Sequence, residues 1–239
     1  MQGIVTFTGR TFYPLSPRAE DIDIEDIAHA LAMKCRFSGH TQVFYSVAEH
    51  SVLVSKLVPE KYALAGLLHD AAEAYLADVA GPIKSAFQKF QEAEMRLMDV
   101  IEDKFGIVET DESYECIKTA DITALEMEKA TVMRRDFYRS KLGIWGYDWK
   151  TAKELFLERF NELTKGRPPV PCVSANPYPW FGLTGYESPQ LPFPNPLCVP
   201  HPVSEALIDS VHHYNITTQE PYVDSDSVRF HRAFGPGTC

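Results

Sequence analysis

Gly66-Leu67-Leu68-His69-Asp70-Ala71-Ala72-Glu73-Ala74-Tyr75-Leu76-Ala77-Asp78 decides how the chain is read, because it sets four ionisable side chains into an apolar, helix-forming text. Pro59 opens a helix through Leu64, Leu67, Leu68, His69, Asp70 and Glu73, and Gly81-Pro82 closes it. In such a helix Glu73 lies four residues after His69 and faces the same side. Upstream, Thr41 caps a helix in which Val43, Val47, His50, Val54 and Leu57 recur with helical spacing, which places His50 on the buried stripe. Asp23 caps an earlier helix through Ile24, Ile27, Ala28 and Leu31, with Glu25 and Asp26 in its first turn. Arg36-Phe37-Ser38-Gly39-His40 separates the two as a loop.

Beyond the quoted stretch, a helix over 87–105 stops at Gly106. Another covers 112–139, with Ile117, Asp121, Ala124, Leu125 and Glu128 on one face, and a last one covers 151–163. No segment before Lys165 alternates as a strand should. The expected fold class is all-α.

The text changes after Lys165. Of 17 prolines, 13 lie beyond Gly166, in runs such as Pro168-Pro169-Val170-Pro171 that cannot be helix interior. Only 203–213 has helical spacing there, through Val203, Leu207, Ile208 and Val211. The chain therefore divides into a helical domain over 1–165 and a Pro-rich, largely irregular extension over 166–239. Aromatic residues such as Tyr178, Trp180 and Phe181 suggest that the extension packs on the core or on a partner subunit, since freely solvated chain is poor in them.

The formal net charge is −10, and neither part has the basic excess needed to neutralise a phosphate backbone, so duplex nucleic acid is excluded as the main partner. No apolar run is long enough to span a membrane. The N-terminal residues lack a secretory pattern. Five widely spaced cysteines (Cys35, Cys116, Cys172, Cys198, Cys239) without a CxxC pair read as reduced thiols of a cytoplasmic protein. A Walker A loop, GxGxxG and HExxH are all missing.

The chemistry is carried by His50, His69-Asp70 and Asp121. A His-Asp pair alone is common by chance. Here, however, these four groups lie on or beside the apolar stripes of three helices, where an unpaired carboxylate or imidazole is costly. A divalent cation would satisfy all four, and two imidazoles with two carboxylates suit Mn, Fe, Co, Zn or Mg-like ions better than thiolate-seeking ones. The plainer alternative is a core histidine with salt-bridged or capping aspartates. Glu73, beside this set and not needed as a ligand, is placed as the general acid/base for a metal-bound water. Asp78, just ahead of Gly81-Pro82-Ile83-Lys84, could orient the water or leaving group or be a plain turn residue, and Lys84 could serve the same pocket or be a solvated surface amine.

At these positions the chain resembles the HD-domain phosphohydrolase superfamily, whose signature is H…HD…D on a helical bundle, and within it the small bacterial 5′-deoxynucleotidases and phage dATP triphosphohydrolases. The likeness rests on Cys35-Arg36-Phe37-Ser38-Gly39-His40-Thr41, Phe44-Tyr45-Ser46-Val47-Ala48-Glu49-His50-Ser51, the stretch Gly66 to Asp78, and Ala120-Asp121. The resemblance implies metal ligands His50, His69, Asp70 and Asp121, and catalytic carboxylates Glu73 and Asp78. It also implies a nucleotide-holding pair at Arg36-Phe37, where the deoxynucleotidases have Arg-Trp; Phe keeps an apolar face for sugar or base. The implied activity is hydrolysis of a deoxynucleotide, either dATP or another dNTP to triphosphate or a dNMP to phosphate. One divalent transition metal (Co, Mn, Zn or Fe) is expected, with additional Mg brought by the substrate as an option. A homo-oligomer is expected from the same resemblance. Two alternatives stand beside this reading. One is an HD-type phosphodiesterase or alarmone hydrolase, and the other a non-catalytic, metal-stabilised binding module.

Overall fold

The computed structural model describes residues 2–133 and 144–166. The extension from 167 onward, with its helix expected over 203–213, lies outside the described residues. Among the described residues the fold is mostly helical, with seven α-helices and one two-stranded sheet. No helix among them is long and apolar enough to cross a membrane.

A short hairpin precedes the helices, with β1 (Ile4–Val5) antiparallel to β2 (Thr11–Phe12). It corrects the expectation of no strand: two residues per strand are too few to display alternation. Phe12 anchors it, fully buried and stacked on Tyr75 at 4.1 Å. Its turn is tied to the first helix, where buried Asp26 accepts from Thr8 N at 2.7 Å and Thr8 Oγ1 at 2.9 Å.

α1 (Ile24–Met33) starts where expected, with the Asp23 side chain accepting from Glu25 N. α2 (Val47–Leu57) begins later than Thr41, at Ser46, whose hydroxyl accepts from Glu49 N. The reason is pairing in the segment before it. Arg36 N donates to Tyr45 O at 2.8 Å and Val47 N to Lys34 O at 3.0 Å, which holds the chain extended up to Ser46. α2 is the axis of the fold and packs against α1, α3, α6 and α7. Its buried hydroxyls turn back on their own helix, Ser51 to Val47 O and Ser55 to Val52 O, so it can be surrounded without orphaned donors.

α3 (Ala63–Leu68) approaches α2 closely at Gly66, where an added Cβ would lie 3.0 Å from Val58 Cγ2 and 3.4 Å from Ser55 Cα. The expected continuous helix from Pro59 to Glu73 is instead broken. α3 ends at Leu68, and a 3₁₀ turn covers Ala71–Ala74. Lys34 Nζ donates to the carbonyls of Glu73 and Ala74, acceptors that the interrupted helical ladder leaves open. After the short α4 (Gly81–Lys84), α5 (Gln88–Phe105) stops at Gly106 in the left-handed conformation, as expected.

α6 (Asp111–Thr131) has a capping box between Thr110 and Ser113; of the helix expected over 112–139, residues 134–139 lie outside the described residues. α7 (Trp149–Thr164) is capped by Asp148. The main core joins α1, α2, α3, α5 and α7 through residues such as Leu31, Val52, Leu67, Leu97 and Phe156. Cys35 is a free thiol.

Glu49 shows how α2 organises its surroundings. Buried in the first turn, its carboxylate accepts from the backbone N–H groups of Trp145 (2.7 Å), Gly146 (3.1 Å) and Tyr147 (2.9 Å). Glu49→Ala strands all three donors, and a loss of about 3 kcal/mol in unfolding free energy is expected. Chemical denaturation of the metal-free protein reads it; a change below about 0.5 kcal/mol would show the clamp to be dispensable.

Candidate metal centre

Three elements deliver the ionisable residues to one place. α2 supplies His50, the junction after α3 supplies His69 and Asp70, and α6 supplies Asp121. His50 Nε2 lies 3.2 Å from His69 Nε2, 3.5 Å from Asp70 Oδ2 and 3.4 Å from Asp121 Oδ1. His69 Nε2 is 3.3 Å from Asp70 Oδ2 and 4.0 Å from Asp121 Oδ1. All four residues singled out in the sequence therefore converge, and His50, His69 and Asp121 form a group that could hold a metal ion. Two ligand atoms each ~2.1 Å from one ion, at right angles or tetrahedrally disposed, are about 3.0–3.4 Å apart. Most of these separations match.

The outer nitrogens explain why the inner ones suit a cation. His50 Nδ1 is 2.6 Å from Glu128 Oε1, and His69 Nδ1 is 2.9 Å from Gly66 O. Both partners are acceptors, so each Nδ1 carries the hydrogen and donates it. The neutral tautomer that results leaves a lone pair on each Nε2, and the two lone pairs face each other and two carboxylates. Such a convergence of nitrogen and oxygen acceptors could hold a cation. Without an ion, a proton takes that place. Burial and the Arg36 charge work against a charged His50, but Glu128 and Asp121 outweigh them and raise it to about 9. Asp121 moves the other way. Burial alone would raise it, but the bond to His50 and the neighbouring imidazole charges hold it at about 2. Asp70 is likewise held low by His69, His50 and Arg36 against its burial.

Glu73 stands on the 3₁₀ turn and is 5% exposed. Its Oε1 is 3.6 Å from Lys84 Nζ, and its buried Oε2 has no hydrogen-bond partner among the described residues. Burial, with the charges of Asp70 and Asp78, pushes its carboxyl up to about 9. Half-buried Asp78 is also raised, by burial first and then by Asp70, and it lies within electrostatic reach of Arg36 and Lys84. Lys84 is shared between Glu73 and Glu94, the latter at 2.7 Å.

Arg36 reaches the centre from the loop before α2, with Nη1 at 3.6 Å from Asp70 Oδ2. Its neighbours Phe37 and Ser38 have φ of 55° and 51°, a left-handed pair that costs about 1–2 kcal/mol per residue. The Phe37 ring is tied on one side to the cluster of Tyr45, Met127, Val132 and Ile144 and lies 5.6 Å from the Arg36 guanidinium carbon.

Two residues beside the centre had no role assigned from sequence. Glu128 was recognised as sharing the Asp121 face, but its partners Arg36, Tyr45 and His50 are 92, 83 and 78 residues away. The seven-residue spacing from Asp121, two helical turns, was the available signal. Lys34 stabilises the turn that carries Glu73, and no pattern marked it.

No family model matches the chain. The uncharacterized protein YfdR of Escherichia coli (strain K12) is 36% identical over 177 residues, which cover 70% of this chain and 98% of YfdR. The chain belongs to the YfdR family. YfdR is thus matched almost from end to end, while the remainder of this chain extends beyond the match. An uncharacterized protein of Rhodobacter capsulatus is 40% identical over 133 residues, covering 51% of this chain and 68% of its own length.

Proposed function

We propose that this YfdR-family chain is a divalent-metal-dependent phosphohydrolase of the HD type acting on deoxynucleotides. It is either a dATP/dNTP triphosphohydrolase or a dNMP 5′-nucleotidase, working as a homo-oligomer in the cytoplasm. The observation that carries this reading is the convergence of two imidazole lone pairs with Asp70 and Asp121, next to a buried carboxyl that is not part of the set. The nitrogen and oxygen donors favour Co, Mn, Zn or Fe over thiolate-selective ions, with Mg accompanying the substrate as an option. When bound, the ion polarises a phosphoryl oxygen and acidifies a water.

The remaining tasks fall to the chain's own side chains. Burial and two nearby carboxylates disfavour the charge on Glu73 and raise its carboxyl above the ordinary range, as suits a group that takes up and gives back a proton. The Glu73 Oε2, without a hydrogen-bond partner among the described residues, would exchange a proton with a water or a leaving oxygen. Asp78 orients the same water from the end of the turn. Arg36 and Lys84 offset charge developing on phosphate, and Phe37 offers an apolar face to sugar or base.

The test is an assay of the metal-loaded full chain against dNTPs, dNMPs, cyclic nucleotides and guanosine tetraphosphate. Release of triphosphate from dATP or another dNTP, or of phosphate from a dNMP, is expected by chromatography. Inactivity toward every nucleotide with Mn, Co, Mg and Zn alike overturns the enzymatic reading. Turnover confined to cyclic or tetraphosphate substrates would overturn the substrate class.

A further inference from the structure

We propose that Glu128 is a positioning residue that couples the metal centre to the phosphate anchor, Arg36. The inference rests on the functional reading above for the role of Arg36, whereas its metal half stands on geometry alone. Glu128 is fully buried on α6. Its Oε1 accepts from His50 Nδ1 at 2.6 Å and from Tyr45 OH at 2.9 Å. Its Oε2 accepts from Arg36 Nε at 3.1 Å and lies 3.1 Å from Arg36 Nη2.

A buried carboxylate placed only for packing needs one cation to offset its desolvation. This one grips two groups from two other elements, and each would act at the centre through an atom that Glu128 does not touch. By accepting from Nδ1 it holds the hydrogen there, aims the Nε2 lone pair inward and makes that nitrogen more basic. By taking Nε and Nη2 side-on, it fixes the plane of the guanidinium and leaves Nη1 toward Asp70 and the centre. One carboxylate therefore sets the direction of a ligand nitrogen and of a phosphate donor together.

Glu128→Gln preserves shape and removes the charge. Metal affinity of the full-length protein, measured by competition of Mn or Co with a chromogenic chelator, is expected to weaken 10–100-fold. Tyr45→Phe, which removes one neutral donor, is expected to change it less than threefold. Affinity within threefold of the unsubstituted protein in Glu128→Gln, with native circular dichroism, overturns the metal half. At saturating metal the variant is expected to raise the nucleotide KM more than it lowers kcat; an unchanged KM overturns the Arg36 half. If Glu128→Gln does not fold, the imidazole nitrogen resonances of the metal-loaded parent protein decide. Hydrogen on His50 Nδ1 with the ion on Nε2 is expected, and the reverse overturns the proposal. Because chelator competition needs no turnover, absence of any nucleotide hydrolysis would remove the functional reading without touching this measurement.

Discussion

His69→Ala is expected to abolish metal retention and, with it, all turnover. His69 lies at the broken end of α3, where its Nδ1 donates to Gly66 O and its Nε2 faces His50, Asp70 and Asp121. Alanine removes one of the two nitrogen donors and leaves His50 with two carboxylates. It also opens space where a water can compete for the ion. After dialysis against dilute chelator, elemental analysis is expected to find about one ion per chain in the parent protein and at least tenfold less in the variant. Metal content equal to the parent would remove His69 from the ligand set. The folded state is expected to persist, because His69 is part of no apolar cluster and the α2–α3 contact is made by Gly66, Ser55 and Val58.

Glu73→Gln is expected to separate binding from chemistry. It should hold the metal within a few-fold of the parent while kcat falls about 10²–10⁴-fold, the usual contribution of a positioned acid/base. Metal loss as large as that of His69→Ala would place Glu73 among the ligands and remove its proton-transfer role. The metal-free proteins supply an independent check. In the folded chain Glu73 titrates near 9 against an ordinary value of 4.5. A carboxyl raised on folding costs stability as pH climbs from 4.5 toward 9, because ionisation favours the unfolded chain. Glutamine cannot ionise, so the variant is expected to lose less stability than the parent between pH 5 and pH 9, as denaturant titrations at several pH values would show.

Much of this architecture is legible locally. Asp23, with acidic residues following, reads as a helix start, and Gly106 reads as a stop, because caps depend on near neighbours. The convergence of His50, His69, Asp70 and Asp121 was legible for a different reason. An ionisable side chain at a core position of an apolar stripe needs a partner, and four such residues on three helices point to a shared one.

What was hidden depends on distant partners. The start of α2 moved from Thr41 to Ser46 because Tyr45 and Val47 pair with Arg36 and Lys34, a strand-like contact that helical spacing does not register. The break at His69-Asp70 separates α3 from the 3₁₀ turn over Ala71–Ala74, and the lysine that takes the carbonyls of Glu73 and Ala74 lies some 40 residues upstream, beyond the reach of helical spacing. Glu128 resembles any polar residue on a helix until His50, Tyr45 and Arg36 are brought around it.

The uneven exposure of the four proposed ligands has a consequence for loading kinetics. The side chain of His50 is wholly enclosed and that of His69 is 11% accessible, whereas Asp70 and Asp121 are 21% and 29% accessible. On the proposed reading a hydrated ion would therefore arrive on the oxygen side and trade its first waters for carboxylates, which need no proton removed near neutral pH. The nitrogens lie deeper, and because Glu128 and Asp121 raise His50, its Nε2 proton would have to leave before the lone pair could bind. Capture would then be a fast, charge-driven step followed by a slower, proton-releasing one, and the rate of final seating is expected to rise with pH even where equilibrium occupancy is already complete.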